Sequence, residues 1–408
     1  LARILHVLSQ RPMLTGSGVS LDALVRESHG AGWDQAALVG VPAGTDPQVG
    51  GLDADKIHAI RFASVETGSI PDLDFPVPGM SDVMPYSSSV WASLTPRQLA
   101  DYRRVWTAGL EVLARTFRPD LVHTNHLWLV STLARRVFPD IPVVMTCHAT
   151  GLRQLELCPH LAEEVIDGCR GIDHFCVLYG EHRERLAATL GISPDRITVT
   201  GAGFRDDVFR PGPSSQRNPH SVVYVGKYSA AKGVPWLLDA VQELARLRPG
   251  LRLHVAGSGA GPEAEALAKR MDDLGPLVVR HGQLSQPELA DLLRRCAVCV
   301  LPSFYEGVPL VLAEAAACGC RIVATDLPGV RQQLAPVLGP ILESVPLPRL
   351  ENVDRPALAD LPRFVSDLRA ALARSLDGNP AGAPDLSRFT WSGVAGRIQD
   401  IWSRLLNP

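Results

Sequence analysis

The run Tyr305-Glu-Gly-Val-Pro-Leu-Val-Leu-Ala-Glu-Ala-Ala-Ala-Cys-Gly319 sets two carboxylates, Glu306 and Glu314, eight positions apart in an otherwise apolar stretch. Charged groups are costly to bury unpaired, so both acids call for partners. A carboxylate accepts through two oxygens and can grip vicinal hydroxyls in a bidentate manner. Eight residues span at most about 12 Å if helical throughout, comparable to the separation of two sugars joined by a diphosphate. Pro309 falls near a first helical turn, where backbone N–H groups favour an anion. In that arrangement Glu306 holds a hexose, Glu314 holds a ribose, and the helix end at Gly307, Val308, Pro309 and Leu310 holds the phosphates. The bland alternative is one surface glutamate and one paired with an arginine.

Three further stretches carry candidate chemistry. Val225-Gly-Lys-Tyr-Ser-Ala-Ala-Lys-Gly233 places Lys227 and Lys232 in a loop just after a strand, suited to phosphates but equally readable as solvated loop charge. Thr15-Gly-Ser-Gly-Val-Ser20 follows the first strand. There Gly16 and Gly18 permit close backbone approach, and the following helix offers free N–H groups. The stretch is not G-x-G-x-x-G and no acid closes the second strand, so a dinucleotide fingerprint is unsupported. Its bland reading is a tight strand–helix turn. His148 ends the run Pro142-Val-Val-Met-Thr-Cys-His148; a lone histidine at a strand end is more often structural than catalytic.

The elements that must position these residues are legible as alternation. Short Val/Ile/Leu-rich runs at 4–9, 35–41, 120–126, 142–148, 173–179 and 197–201 alternate with helical patterns, and the alternation restarts at 221–228, 251–259, 277–282, 298–303 and 321–326. Such runs mark parallel sheets buried on both faces. The fold class is therefore α/β, two doubly wound domains joined near the Pro/Ser/Asn-rich 211–220, with ligands expected beyond the carboxyl ends of the strands. Thr95-Pro96 opens a helix to about Arg115, Ser285 and Glu288 form a capping box, and Gly319 stops the helix carrying Glu314. The stretch 66–94, with four prolines, breaks the alternation. Its aromatic and methionine content points to an ordered loop near the site.

Composition narrows the classes. At 408 residues, two domains is the natural count, and a formal charge of −3 with no basic block gives a nucleic-acid partner no electrostatic support, so none is expected. No apolar run reaches membrane-spanning length, and LARILHVLSQ lacks a signal-peptide pattern. The expectation is a cytoplasmic protein. Eight cysteines in such a chain read as buried small hydrophobes rather than disulfides or a zinc site.

In combination the motifs resemble the retaining glycosyltransferases of the family-4, GT-B type (glycosyl transferases group 1). E-G-x-P-L-x-L-x-E-A resembles the E-x7-E signature. VGKYSAAKG resembles the phosphate loop with Lys227 where arginine is usual, and TGSGVS resembles the N-terminal Gly-Gly loop with Ser17 in place of the first glycine. TDLPGVRQQL (325–334) and RFTWSGVAGRIQDIW (388–402) match later segments, the last resembling a helix that returns to the first domain. The likeness departs at Ala202-Gly-Phe-Arg205, where the family often has Asn-Gly-Val-Asp.

The resemblance implies two Rossmann-like domains facing a cleft: an acceptor-side domain over 1–210, a nucleotide-sugar domain over 211–387 and a closing helix over 388–408. It implies transfer from a UDP-, GDP- or ADP-linked sugar, with retention and without metal or other cofactor. Lys227 and Lys232 would neutralise the leaving diphosphate, and Glu306 with the backbone N–H groups of 307–310 would hold the transferred sugar. His148 would stand near the anomeric carbon, and His126 and Arg153 would serve the acceptor. Acceptors would be glycans, lipid-linked or small molecules, the lipid case implying peripheral contact with the inner membrane face. The competing readings are a sugar-nucleotide epimerase or hydrolase, and a non-catalytic sugar-nucleotide sensor.

Overall fold

The computed structural model describes residues 1–64, 69–81, 84, 86–213, 217–352, 354–378 and 383–407. Two compact units emerge, Leu1–Ala202 with Trp391–Pro408, and Gly203–Thr390.

The first unit is built on seven parallel strands, β1 (Arg3–Leu8), β2 (Asp34–Pro42), β3 (Ile57–Phe62), β4 (Leu121–Asn125), β5 (Val143–Cys147), β6 (His174–Val177) and β7 (Ile197–Val199), in the order β3-β2-β1-β4-β5-β6-β7. Its helices are α1 (Gly16–Gly30), α2 (Pro96–Thr116), α3 (Leu129–Val137), α4 (Ala149–Leu157), α5 (Pro159–Arg170) and α6 (Gly180–Leu190). Strands β4 and β5 are buried at every position, as a sheet covered on both faces requires. α2 begins with a reciprocal cap: Gln98 N–H donates to Thr95 Oγ1 at 3.3 Å, and Thr95 N–H donates to Gln98 Oε1 at 3.0 Å. In the described part of 66–94, Leu73, Phe75, Val77, Met80 and Trp91 enter the core, so this stretch is packed rather than a polar linker; residues 66–68, 82–83 and 85 of it lie outside the described residues.

The second unit repeats the plan with β8 (Asn218–Val225), β9 (Arg252–Ala256), β10 (Val278–Gly282), β11 (Cys296–Leu301), β12 (Arg321–Thr325) and β13 (Leu342–Val345), in the order β10-β9-β8-β11-β12-β13. Helices α7 (Val234–Ala245), α8 (Pro262–Asp273), α9 (Gln286–Arg295), α10 (Leu310–Ala317) and α11 (Leu361–Asp377) accompany it. Ser285 donates from N–H and Oγ to the Glu288 carboxylate at 2.9 and 2.6 Å, closing the start of α9. In both sheets the strand order reverses beside the first strand, between β1 and β4 and between β8 and β11. Ligands of doubly wound sheets bind at such switch points.

The division between the units does not lie in the Pro-rich segment. Phe204 and Phe209 are buried in the core of the second unit, and Phe204 N–H donates to Phe389 O at 2.8 Å. Two aromatic anchors therefore tie 203–210 to the second unit, and the boundaries fall at 202/203 and 390/391 instead of 210/211 and 387/388. The last helix, α12 (Trp391–Leu406), belongs to the first unit. Its Arg397 donates to Thr200 O at 2.6 Å, and fully buried Trp402 donates from Nε1 to His123 Nδ1 at 3.1 Å.

The eight cysteines are buried free thiols. Among the described residues no helix is long and apolar enough to cross a membrane, and no group of three or more metal-binding side chains is assembled.

Candidate active site

In the second unit the loops after β8 and β11 flank the switch point, and one ion pair joins them. Lys232 Nζ donates to Glu306 Oε1 at 2.7 Å and to Tyr305 O at 3.4 Å, while Ser303 Oγ donates to the same Glu306 oxygen at 2.9 Å. The side chains are 27% and 21% exposed. A part-buried pair of this kind contributes on the order of 1 kcal/mol after its desolvation cost.

Local backbone explains how the loops meet. Gly233 has φ +71°, and a Cβ there would sit 2.0 Å from Pro302 O, so only glycine lets the β8 loop pass against the β11 loop. Beyond Glu306 the amides of Gly307, Val308 and Leu310 donate to no acceptor among the described residues. They lead into α10, whose cap, Pro309, supplies no side-chain bond. Helix dipole and free amides together favour an anion. Pro309 has no N–H, so the donor set is 307, 308 and 310 and not the whole of 307–310. α10 begins only at Leu310, so Glu306 stands on a loop and the eight-residue spacing is only half helical.

Glu314 sits on α10, partly buried, and no partner holds its carboxylate among the described residues. Burial pushes it up to about 7. Lys227 is exposed and lines a cavity of about 810 Å³ with Gly257, Ser258, Gly259 and Gln283 beyond the ends of β8, β9 and β10.

In the first unit a cavity of about 280 Å³ gathers Gln10, Thr15, Gly16, Ser17, His126 and His148, closed by Met80 and Met84 of the irregular stretch. The His126 and His148 rings are 4.8 Å apart at 47°. Burial lowers both, His148 to about 4 and His126 well below the usual histidine range, so both rings are neutral at physiological pH. His126 has φ +70°, an unusual backbone state for a non-glycine residue. At α1, Thr15 Oγ1 takes the Gly18 N–H at 3.1 Å, so the cap uses that amide and only those of Gly16 and Ser17 remain open. A Cβ at Gly18 would meet Met13 N at 2.7 Å. Arg153 is exposed on α4 and does not reach the cavity.

Residues 219–339 match the family described as Glycosyl transferases group 1, and residues 84–208 match Glycosyltransferase Family 4. A D-inositol 3-phosphate glycosyltransferase of Thermomonospora curvata is 30% identical over 320 residues, covering 69% of this chain and 73% of the relative. The chain belongs to the family-4, GT-B glycosyltransferases. A glycogen synthase of Mycobacterium tuberculosis is 27% identical over an alignment of 429 residues, covering 98% and 94% of the two chains. Among solved structures, the E. coli trehalose-6-phosphate structure bound with UDP-2-fluoro glucose aligns with TM-score 0.63 at 13% identity, covering 99% of each chain. Sucrose-phosphate synthase from Thermosynechococcus elongatus aligns with TM-score 0.60 at 18% identity, again over 99% of each chain. These distant structures share the fold of this glycosyltransferase.

Within that fold each unit assembles its own share of the expected residues. Lys232, Glu306 and the amides of Gly307, Val308 and Leu310 meet in the second unit; Gly16, His126 and His148 meet in the first. Three contributors escaped the sequence reading. Ser303 orients Glu306, Gln10 accepts from Ser17 Oγ at 3.2 Å, and Asn125 faces His148 at 3.2 Å. Ser303 and Asn125 end apolar strand runs, the position where α/β ligand residues gather, and that position was the available signal.

Proposed function

We propose that this glycosyltransferase moves a hexose from a nucleoside-diphosphate sugar to an acceptor hydroxyl, with retention and without a metal ion of its own. The observation that carries the reading is the Lys232–Glu306 pair beside the open amides of Gly307, Val308 and Leu310. A diphosphate can take over the Lys232 ammonium and accept from the amides, which frees Glu306 for sugar hydroxyls. The UDP-bound neighbour, and an Anabaena protein in complex with UDP and glucose that aligns with TM-score 0.58 over 99% of this chain, support this donor class and make UDP the first nucleotide to try.

Breaking the sugar–phosphate bond places positive charge on the sugar and negative charge on the leaving diphosphate. Lys227, Lys232 and the α10 terminus are fixed dipoles and charges aimed at the latter, the preorganisation that lowers such barriers. Glu314, when ionised, accepts from the ribose hydroxyls, and the 810 Å³ cavity takes the base. The acceptor oxygen attacks the anomeric carbon on the face the phosphate leaves. The C–O bond to phosphate breaks, and the acceptor proton passes to a phosphate oxygen. In the first unit, the cavity at His148 offers neutral hydrogen-bond donors and acceptors suited to the hydroxyls of an acceptor.

A thermal-shift panel of UDP, GDP, ADP and their sugars tests the donor, since ligand binding raises apparent stability by mass action. One nucleotide series should stabilise the protein, and sugar transfer to an acceptor should persist in EDTA. Stabilisation by no series, or donor turnover that needs no acceptor, would overturn the reading.

A further inference from the structure

We propose that Asn125 is a positioning residue that fixes His148 as its Nε2–H tautomer, so that Nδ1 offers a lone pair to a substrate hydroxyl. Asn125 is the last residue of β4, at the switch point of the first sheet, and is 4% exposed. Its Nδ2 donates to Val7 O on β1 at 3.3 Å. A backbone carbonyl only accepts, and the reversed carboxamide would set two oxygens face to face, so the orientation of the amide is decided by chemistry.

The rest follows without freedom. Oδ1, which only accepts, is turned to His148 Nε2 at 3.2 Å. A hydrogen bond across that distance requires the proton on Nε2. Burial keeps the ring neutral, so Nδ1 carries no proton. Nδ1 has no partner among the described residues, and His148 lines the 280 Å³ cavity with Thr15, Ser17 and Thr150. The neighbouring histidine does not compete for this role. His126 Nδ1 lies 3.4 Å from Thr150 Oγ1, and its Nε2 is buried without a partner. The β1 backbone thus acts on the cavity-lining ring through two bonds: Val7 orients Asn125, and Asn125 orients His148.

The inference rests on the site reading above for the substrate hydroxyl, but the tautomer stands apart from it. The full chain labelled with 15N-histidine gives both in one set of spectra, with His148→Gln identifying the His148 signals. Wild type should show a pyridine-type Nδ1 and a pyrrole-type Nε2 for His148 near neutral pH. In Asn125→Ala the two tautomers should mix, with kcat lowered about tenfold to a hundredfold and donor KM changed little. A pyrrole-type Nδ1 in wild type overturns the proposal whether or not the variant folds. An unchanged His148 spectrum in folded Asn125→Ala also overturns it. A mixed tautomer with unchanged kcat would remove the substrate hydroxyl from Nδ1 while leaving the hold of Asn125 on the ring.

Discussion

Glu314 is a partly buried carboxylate with no counter-charge among the described residues, and that has a thermodynamic consequence. Burial raises its folded-state pKa from 4.5 to about 7, so the native state takes up its proton more readily than the unfolded chain. A group raised in this way leaves stability intact below about pH 4.5 and withdraws it as pH climbs through 7. Replacing it by Gln removes the ionisable group while keeping the shape. Glu314→Gln should therefore raise stability at pH 8 by about 1–3 kcal/mol and change little at pH 5, read from denaturant midpoints at the two values. The same variant should lose most of its response to the nucleotide diphosphate. An equal effect at both pH values would show that the carboxylate is not strained by burial. The spacing of Glu306 and Glu314 exposed both acids in the sequence. It did not expose the Lys232 partner of Glu306, because that pair closes 74 positions apart and depends on which strands become neighbours.

At the scale of elements, the loop proposed to hold the diphosphate is shaped by close glycine contacts as well as by side chains. Gly329, at the start of the turn after β12, lies so close that a Cβ would stand 1.7 Å from Gly307 O. Its φ of −66° is ordinary, so alanine is excluded by contact with the loop and not by backbone preference. Gly329→Ala must push the Gly307 carbonyl, and with it the open amides, away from their present positions. A displacement of about 1 Å at a reacting centre can cost about a hundredfold. Gly329→Ala should thus raise donor KM at least about tenfold, checked by initial rates. Gly396→Ala on α12, where a Cβ meets nothing within 4 Å, should leave kinetics unchanged and stabilise by about 1 kcal/mol. The sequence announced these elements well where chemistry is local: Thr95-Pro96, the Ser285–Glu288 box and Gly319 mark helix ends through neighbours in the chain. It misplaced the domain joint because Pro, Ser and Asn read as a linker, whereas Phe204 and Phe209 find their pocket only after the second sheet forms. The two-acid spacing is bounded as if helical throughout, whereas the helix begins at Leu310, four residues after Glu306.

For the whole molecule, the two units differ in how they carry ionisable groups. The first unit holds His6, His123, His126, His148, His174 and His182, each lowered chiefly by burial. His6 and His123 pack against Trp402 at 5.7 and 5.5 Å between ring centroids, so the site at the switch point and the anchor of α12 share one buried histidine layer. Histidines kept neutral in the native state bind protons more readily once unfolded. Their contribution is complete above about pH 6.5 and is lost as pH falls toward their lowered folded values, about 4 for His6, His148, His174 and His182. Each can withdraw up to about 1.4 kcal/mol per pH unit in that window, so two of them between pH 6.5 and 5 remove roughly 4 kcal/mol, a large part of an ordinary domain's stability. In the second unit His254 and His281 are lowered by burial in the same sense, but they are fewer and only half-buried, and Glu314 acts in the opposite direction. The first unit should therefore unfold at higher pH than the second. Tryptophan reports on it selectively, because positions 33, 91, 106, 128, 391 and 402 fall in the first unit and only 236 in the second. Acid titration should show the fluorescence transition between about pH 5 and 6, ahead of the final loss of far-UV ellipticity. Trp402→Phe, which removes the donor to His123 Nδ1, should move that first transition to higher pH and leave the later one in place. A single transition seen alike by both probes would mean that the buried histidines do not set the acid limit of the first unit.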